Sequence, residues 1–235
     1  MKILNLVYCF LFAFQLSAQD STSSVQLVEK LQVYVDSLES EFDQIEEERR
    51  IQLQEIAEHI AKEGKAKLTF ICTHNSRRSQ FAEVWAAVAA YYYQLEDIET
   101  FSGGTEATAF NPRAVKALKR AGFNLKSKGA KNPTYRVYFS SEVRPKRCFS
   151  KVYKDNFNPQ KDFIAIMVCS DADKACPLVD GAQARFALPY IDPKVSDGSF
   201  LEKETYDGRC RQIAREMFFL MSYTHGIIQS KKSEG

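Results

Sequence analysis

Two short apolar runs, Leu68-Thr69-Phe70-Ile71 and Phe163-Ile164-Ala165-Ile166-Met167-Val168, constrain this chain more than any other feature. Neither alternates between apolar and polar, so neither offers a face to water. Runs of that length read as strands buried on both sides. Each ends on a cysteine, Cys72 and Cys169. Helix-favouring sequence follows the first run, from Gln80 to about Tyr93. Ile98 to Ser102 reads as another strand, closed by Gly103-Gly104. Asn111 is a good N-cap, Pro112 suits the first helical position, and Gly122 closes that helix. Arg185 to Leu188 is a weaker fourth strand, and Tyr206 to Ser222 an amphipathic helix with Cys210, Ile213, Ala214, Met217 and Leu220 on one face. Strands alternating with helices predict an α/β fold: a single three-layer domain with a four-stranded parallel sheet. Residues 131–160 fit less well. Their alternating stretch Tyr135-Arg136-Val137-Tyr138-Phe139 and polar loop predict an inserted hairpin or lid.

The first 63 residues differ from the rest. Lys2, the apolar run Ile3 to Phe14 and the small residues before Gln19 have the layout of a secretory signal peptide. The run is shorter than the roughly 20 apolar residues of a membrane span. The expectation is an exported protein, periplasmic or secreted, with no stable membrane anchor after cleavage. Residues 20–63 contain no Gly, Pro or Cys. Val28, Leu31, Val35, Leu38, Phe42 and Ile45 recur at spacings of three and four, and a second set, Leu53, Ile56, Ala57 and Ile60, begins out of phase. That pattern predicts two helices, or one bent helix, ending near Gly64. They form either a hairpin packed on the following domain or a coiled-coil arm. The expected layout is a signal peptide at 1–19, a helical extension at 20–63, the α/β domain at 64–226 and a polar tail at 227–235. A net charge of only +2 implies no nucleic-acid partner. The histidines fit no metal-ligand spacing and there is no Cys-x-x-Cys pair, so a zinc site is not expected.

Chemistry concentrates in Cys72-Thr73-His74-Asn75-Ser76-Arg77-Arg78-Ser79. Cys-x5-Arg alone is a weak signal. Here the cysteine ends a strand and a helix begins just after the arginine. Such a loop can curl its N–H groups around an anion, and the helix N-terminus adds positive potential. That setting favours a thiolate nucleophile. Arg78 can grip two oxygens of a tetrahedral oxyanion with its planar fork. Ser79 can donate to the thiolate, and Asn75 tolerates left-handed backbone geometry. Thr73, His74, Asn75, Ser76, Arg77 and Arg78 are the candidate oxyanion-binding residues.

The chain resembles the low-molecular-weight protein tyrosine phosphatase superfamily, and especially its arsenate reductase branch. The likeness runs from about Lys67 to Ser222. It rests on Phe70-Ile71-Cys72-Thr73, Asn75-Ser76, Arg78-Ser79-Gln80, Ala82-Glu83, Ser102-Gly103-Gly104-Thr105, Asn111-Pro112-Arg113-Ala114 and Asp192-Pro193. The resemblance implies a phosphatase I-like fold, with Asp192 as general acid. The segment Cys169-Ser170-Asp171-Ala172-Asp173-Lys174-Ala175-Cys176-Pro177 resembles the redox segment of thioredoxin-coupled arsenate reductases. It implies a relay from Cys72 to Cys169 to Cys176 and then to an external thiol reductant such as a thioredoxin-like protein. Asn75, Glu83 and Ser102 match positions that hold a potassium ion in some relatives; no other cofactor is implied.

Other readings stay open at this point. His74 and Arg77 replace the family's usual Gly and Cys. Cys169 and Cys176 could form a structural disulfide or be idle thiols, and an oxidising compartment favours the first. Lys194-Val195-Ser196-Asp197-Gly198 lacks the aromatic residues that flank a phosphotyrosine ring in the family's phosphatases. The favoured substrate is therefore arsenate, with a phosphomonoester as the alternative and a non-catalytic phosphate- or phosphoprotein-binding module as a third reading. Cys148 and Cys210 are expected to serve packing.

Overall fold

The computed structural model describes residues 25–176 and 178–233. The signal segment expected at 1–19 lies outside the described residues. The chain begins with helix α1 (Glu29–Asp36), a 3-10 turn (Glu39–Gln44) and helix α2 (Glu47–Glu63). It continues through β1 (Ala66–Cys72), α3 (Arg78–Tyr92), β2 (Ile98–Gly104) and α4 (Pro112–Ala121). Then come β3 (Asn124–Lys128), β4 (Thr134–Tyr138), β5 (Lys146–Cys148), β6 (Phe163–Met167), α5 (Ser170–Ala175), β7 (Ala182–Ala187), a 3-10 turn (Pro193–Ser196) and α6 (Glu202–Ser233).

The four-stranded sheet runs in the order β2-β1-β6-β7, and every pairing in it is parallel. The two apolar runs are its central strands, and all of Leu68, Phe70, Ile71 and Phe163 to Val168 are buried. Cys72 and Cys169 therefore leave the sheet at the same carboxyl-end edge, where parallel sheets place their sites.

Helix α4 shows how closely local sequence sets local structure. Asn111 Oδ1 accepts from the amide of Arg113 at 2.9 Å, Pro112 occupies the first turn, and Gly122 ends the helix at φ 114°. A side chain at Gly122 is excluded twice, because a Cβ would also lie 2.6 Å from the amide nitrogen of Leu31.

That approach belongs to the N-terminal helices, which pack on the domain rather than forming a separate arm. Leu31, Val35, Leu38, Leu53, Ile56 and Ile60 are buried in the same core as Phe81 and Trp85. Tyr34 stacks on Trp85 at 5.3 Å. Arg211 lies 4.3 Å over the Tyr34 ring and ion-pairs with Glu41, and Arg49 pairs with Glu216 at 2.8 Å. The first apolar stripe is carried by a short helix and a 3-10 turn, so its residues reach the core without a continuous helix.

Two differences concern the end of the chain and the insertion. Helix α6 runs on to Ser233, so residues 227–233 are helical rather than a tail, and Lys231 Nζ donates to the carbonyl of Ala61. Residues 124–148 form a separate antiparallel sheet, β3-β4-β5. Strand β3 escapes a pattern search because only Leu125 among its five residues is buried. No described helix is long and apolar enough to cross a membrane.

Candidate active site

The loop between β1 and α3 is held from outside by its carbonyls. The carbonyl of Cys72 accepts from the amide of Thr105, that of Thr73 from the amide of Glu106 and the hydroxyl of Thr105, and that of Ser76 from the amide of Asn111. Ser150 Oγ and Thr108 Oγ1 donate to the carbonyl of His74, and Gln80 Nε2 to that of Asn75. Five successive carbonyls thus face outward. Among the described residues no amide from Thr73 to Arg77 donates to a protein acceptor. Amides gathered in this way make a cradle for an anion. Gly104 permits the close wrap, since a Cβ there would lie 2.6 Å from the carbonyl oxygen of Thr73 and 2.9 Å from the nitrogen of Asn75.

Inside the loop the hydrogen-bond directions are determined. Asn75 is fully buried and sits at φ 47°, the left-handed conformation its residue type tolerates. Its Oδ1 accepts from Gln80 Nε2 and from the amide of Lys151, which fixes which end of the amide is oxygen. Its Nδ2 then donates to Ser79 Oγ and to Ser102 Oγ, each at 2.8 Å. Ser79 Oγ lies 3.1 Å from Cys72 Sγ. Because Ser79 already accepts from Asn75, its own hydrogen is free for the sulfur.

The two arginines behave differently. Arg78 is buried, donating to the carbonyl of Tyr190 at 3.0 Å and to Asp192 Oδ2 at 2.9 Å. Its Nε is buried without a protein partner. Arg77 turns aside. Its Nε donates to the Tyr206 hydroxyl at 3.0 Å, and it lies 3.8 Å from Asp192 and 3.9 Å from Asp197. Burial and the bond to Asp197 push the Tyr206 phenol up to about 12, so it stays a neutral donor to that carboxylate. His74 is part-exposed at the rim, 3.5 Å from Glu106. Ser76 donates to the carbonyl of Ala109. Asp192 also caps its own 3-10 turn, accepting from the amide of Lys194.

Cys169 is brought to the loop. Its Sγ lies 3.5 Å from Thr73 Oγ1, and it accepts from the amide of Ala172 as N-cap of α5. Cys176 caps the other end of the same helix and is partly exposed. Arg185 braces the segment, donating to the carbonyl of Cys176 and pairing with Asp173. Cys72, Cys169 and Cys176 are all free thiols, as are Cys148 and Cys210. The last two are fully buried away from the loop, and burial pushes both thiols up, that of Cys210 to about 12.

The triad Asn75, Glu83 and Ser102 does not suit a potassium ion. Asn75 presents its amide nitrogen to Ser102, and a donor cannot ligate a cation. The Ser102 hydroxyl donates to Glu83 Oε2, while Glu83 Oε1 lies 3.2 Å from Lys146 Nζ. The buried negative charge already has an ammonium. Sequence reading had no means of finding Lys146, which lies far along the chain in a polar stretch with no pattern of its own. Ser150 and Lys151 were missed for the same reason; Gln80 stands in the Arg78-Ser79-Gln80 mark, but its bond to the Asn75 carbonyl could not be read from it.

Known proteins share parts of this sequence. Residues 67–141 match the family model described as low molecular weight phosphotyrosine protein phosphatase. Arsenate reductase 2 of Staphylococcus epidermidis is 31% identical over 129 residues, which are 55% of this chain and 79% of that protein. The chain belongs to the low molecular weight phosphotyrosine protein phosphatase family. Within it, the relatives place the chain on the arsenate reductase branch. The arsenate reductase of Bacillus subtilis is 29% identical over 142 residues, 60% of this chain and 84% of that one. Arsenate reductase 2 of Staphylococcus haemolyticus is 32% identical over 115 residues, 49% of this chain and 69% of that one.

Proposed function

We propose that the protein is an arsenate reductase in which Cys72 is the nucleophile and Cys169 and Cys176 form the thiol relay. The observation that carries the reading is the contact of Cys169 Sγ with Thr73 Oγ1, which sets a second free thiol against the oxyanion loop. A phosphatase needs one thiol there; a reductase needs two. The relatives that extend over most of their own length are named arsenate reductases, which supports the same choice.

Arsenate enters the cradle of loop amides, with the Arg78 Nε as a further donor. The Cys72 thiolate attacks arsenic and water leaves, with Asp192 as the proton donor. The Cys169 thiolate then attacks the Cys72 sulfur. The sulfur–arsenic bonding pair stays on arsenic, which departs as arsenite, two electrons richer, and a Cys72–Cys169 disulfide forms. Cys176 attacks the Cys169 sulfur and frees Cys72. An external dithiol of the thioredoxin kind reduces the resulting Cys169–Cys176 bond. The oxyanion loop, thiolate and acid also suffice for phosphomonoester hydrolysis, which is the second reading. Export through residues 1–19 belongs to the same proposal, and it requires the reductant to be delivered outside the cytoplasm.

The test is paired assays on wild type, Cys72→Ser and Cys169→Ser. Thioredoxin-dependent arsenite formation should vanish in both variants, and hydrolysis of an aryl phosphate only in Cys72→Ser. Reductase turnover that survives Cys169→Ser sinks the relay.

A further inference from the structure

We infer that Lys146, carried by the inserted sheet, is a positioning residue for the Cys72 nucleophile. The inference rests on the reading of Cys72 given above. Four side chains link the two. Lys146 Nζ donates to the carbonyl of Thr100 and pairs with Glu83 Oε1 at 3.2 Å. Glu83 Oε2 accepts from Ser102 Oγ; Ser102 accepts from Asn75 Nδ2; the same nitrogen donates to Ser79; and Ser79 faces Cys72 Sγ. Glu83, Ser102, Asn75 and Ser79 are all fully buried, so no water competes along the line.

A carboxylate paired with an ammonium can only accept. That forces the Ser102 hydrogen toward Glu83 and leaves the Ser102 lone pairs to Asn75. The amide is thereby anchored at both hydrogens as well as at its oxygen, in a left-handed loop conformation that costs free energy to hold. Ser79 is left with one use for its hydrogen, the Cys72 sulfur. Without the ammonium, the buried Glu83 carboxylate has no compensating charge and nothing holds it in place beside Ser102. Ser102 then has no enforced direction, and the anchor on Asn75 loosens.

The test is the second-order rate of alkylation of Cys72 by iodoacetamide at pH 7, mapped by peptide mass spectrometry, in full-length protein at a temperature where each variant is folded. The variants are Lys146→Met and the charge-neutral pair Lys146→Met/Glu83→Gln. In the pair, the carboxamide removes the unpaired charge but can donate as well as accept. The expected result is a rate at least about fivefold below wild type in both, with the melting temperature lowered in the single variant and regained in the pair. A wild-type alkylation rate in either variant overturns the role of Lys146 and leaves it a purely structural ion pair. Should Lys146→Met not fold, the pair carries the test. Wild-type Cys72 that alkylates no faster than free cysteine overturns the nucleophile reading itself.

Discussion

Arg78 and Asp192 hold each other across 114 residues of chain, with Nη2 of the arginine 2.9 Å from Oδ2 of the aspartate. The loop that carries Arg78 and the turn that carries Asp192, the proposed acid, are therefore one unit before any substrate binds. Asp192→Asn keeps an acceptor for Arg78 and removes the proposed acid. Aryl phosphate hydrolysis should fall about 10²- to 10⁴-fold, the usual worth of a positioned general acid. Phosphate protection of Cys72 against alkylation should persist. Stopped-time assays of p-nitrophenol release and of alkylation separate the two.

Cys169 and Cys176 cap opposite ends of α5, about 10 Å apart at the helical rise. A disulfide needs Cα atoms within about 7 Å. Closing the bond must therefore unwind α5, and the Arg185 contacts with Asp173 and the carbonyl of Cys176 must break with it. Oxidised protein should be cut by trypsin at Lys174 at least about tenfold faster than reduced protein, since cleavage of a helical site waits for its opening. Equal rates would mean that the helix survives oxidation and that the relay needs another geometry.

The N-terminal helices are part of the core, not an accessory to it. Leu31 is fully buried beside the α4–Gly122 turn. Leu31→Ala should cost about 2–5 kcal/mol of unfolding free energy, measured by denaturant titration, with a single transition for the whole chain. A separate early transition for the variant would show the helices to be an independent unit.

Cys210 accepts from the indole N–H of Trp85 at 3.3 Å in a fully buried setting. Burial raises its thiol to about 12, the Trp85 bond opposing the rise. A folded value above the unfolded one, near 8.5, means that the neutral thiol stabilises the fold fully below about pH 8.5 and loses that contribution as pH rises toward 12. Cys210→Ser keeps an acceptor for Trp85 and does not titrate in that window. Its stability should decline less steeply with pH above 8.5, by up to about 1.4 kcal/mol per unit for this single group. Parallel pH curves for the two proteins would refute the linkage.

Potassium should be dispensable. With Lys146 against Glu83, turnover and melting temperature should match in potassium chloride and choline chloride at equal ionic strength. A rate more than about twofold higher in potassium would show that the ion does enter the cluster.

Much of this was legible in the residues themselves. Leu68–Ile71 and Phe163–Val168 read as strands buried on both sides, because runs that do not alternate leave no face for water. Asn111-Pro112 and Gly122 bounded α4 through chemistry within a few residues. The strand–Cys72–loop–Arg78–helix order located the oxyanion loop for the same reason. What the tertiary structure alone decided involves partners far apart in sequence. It sent Arg77 to Tyr206 and Arg78 to Asp192, though neighbouring arginines look alike in a sequence. It set Cys169 against Thr73 because β6 happens to lie beside β1. It closed the Asn75–Ser102–Glu83 line with Lys146, from an insertion whose polar residues carry no period. Local sequence determines what is favourable over one turn or one strand; the direction of a buried hydrogen-bond chain depends on every partner at once, and those partners meet only in the folded chain.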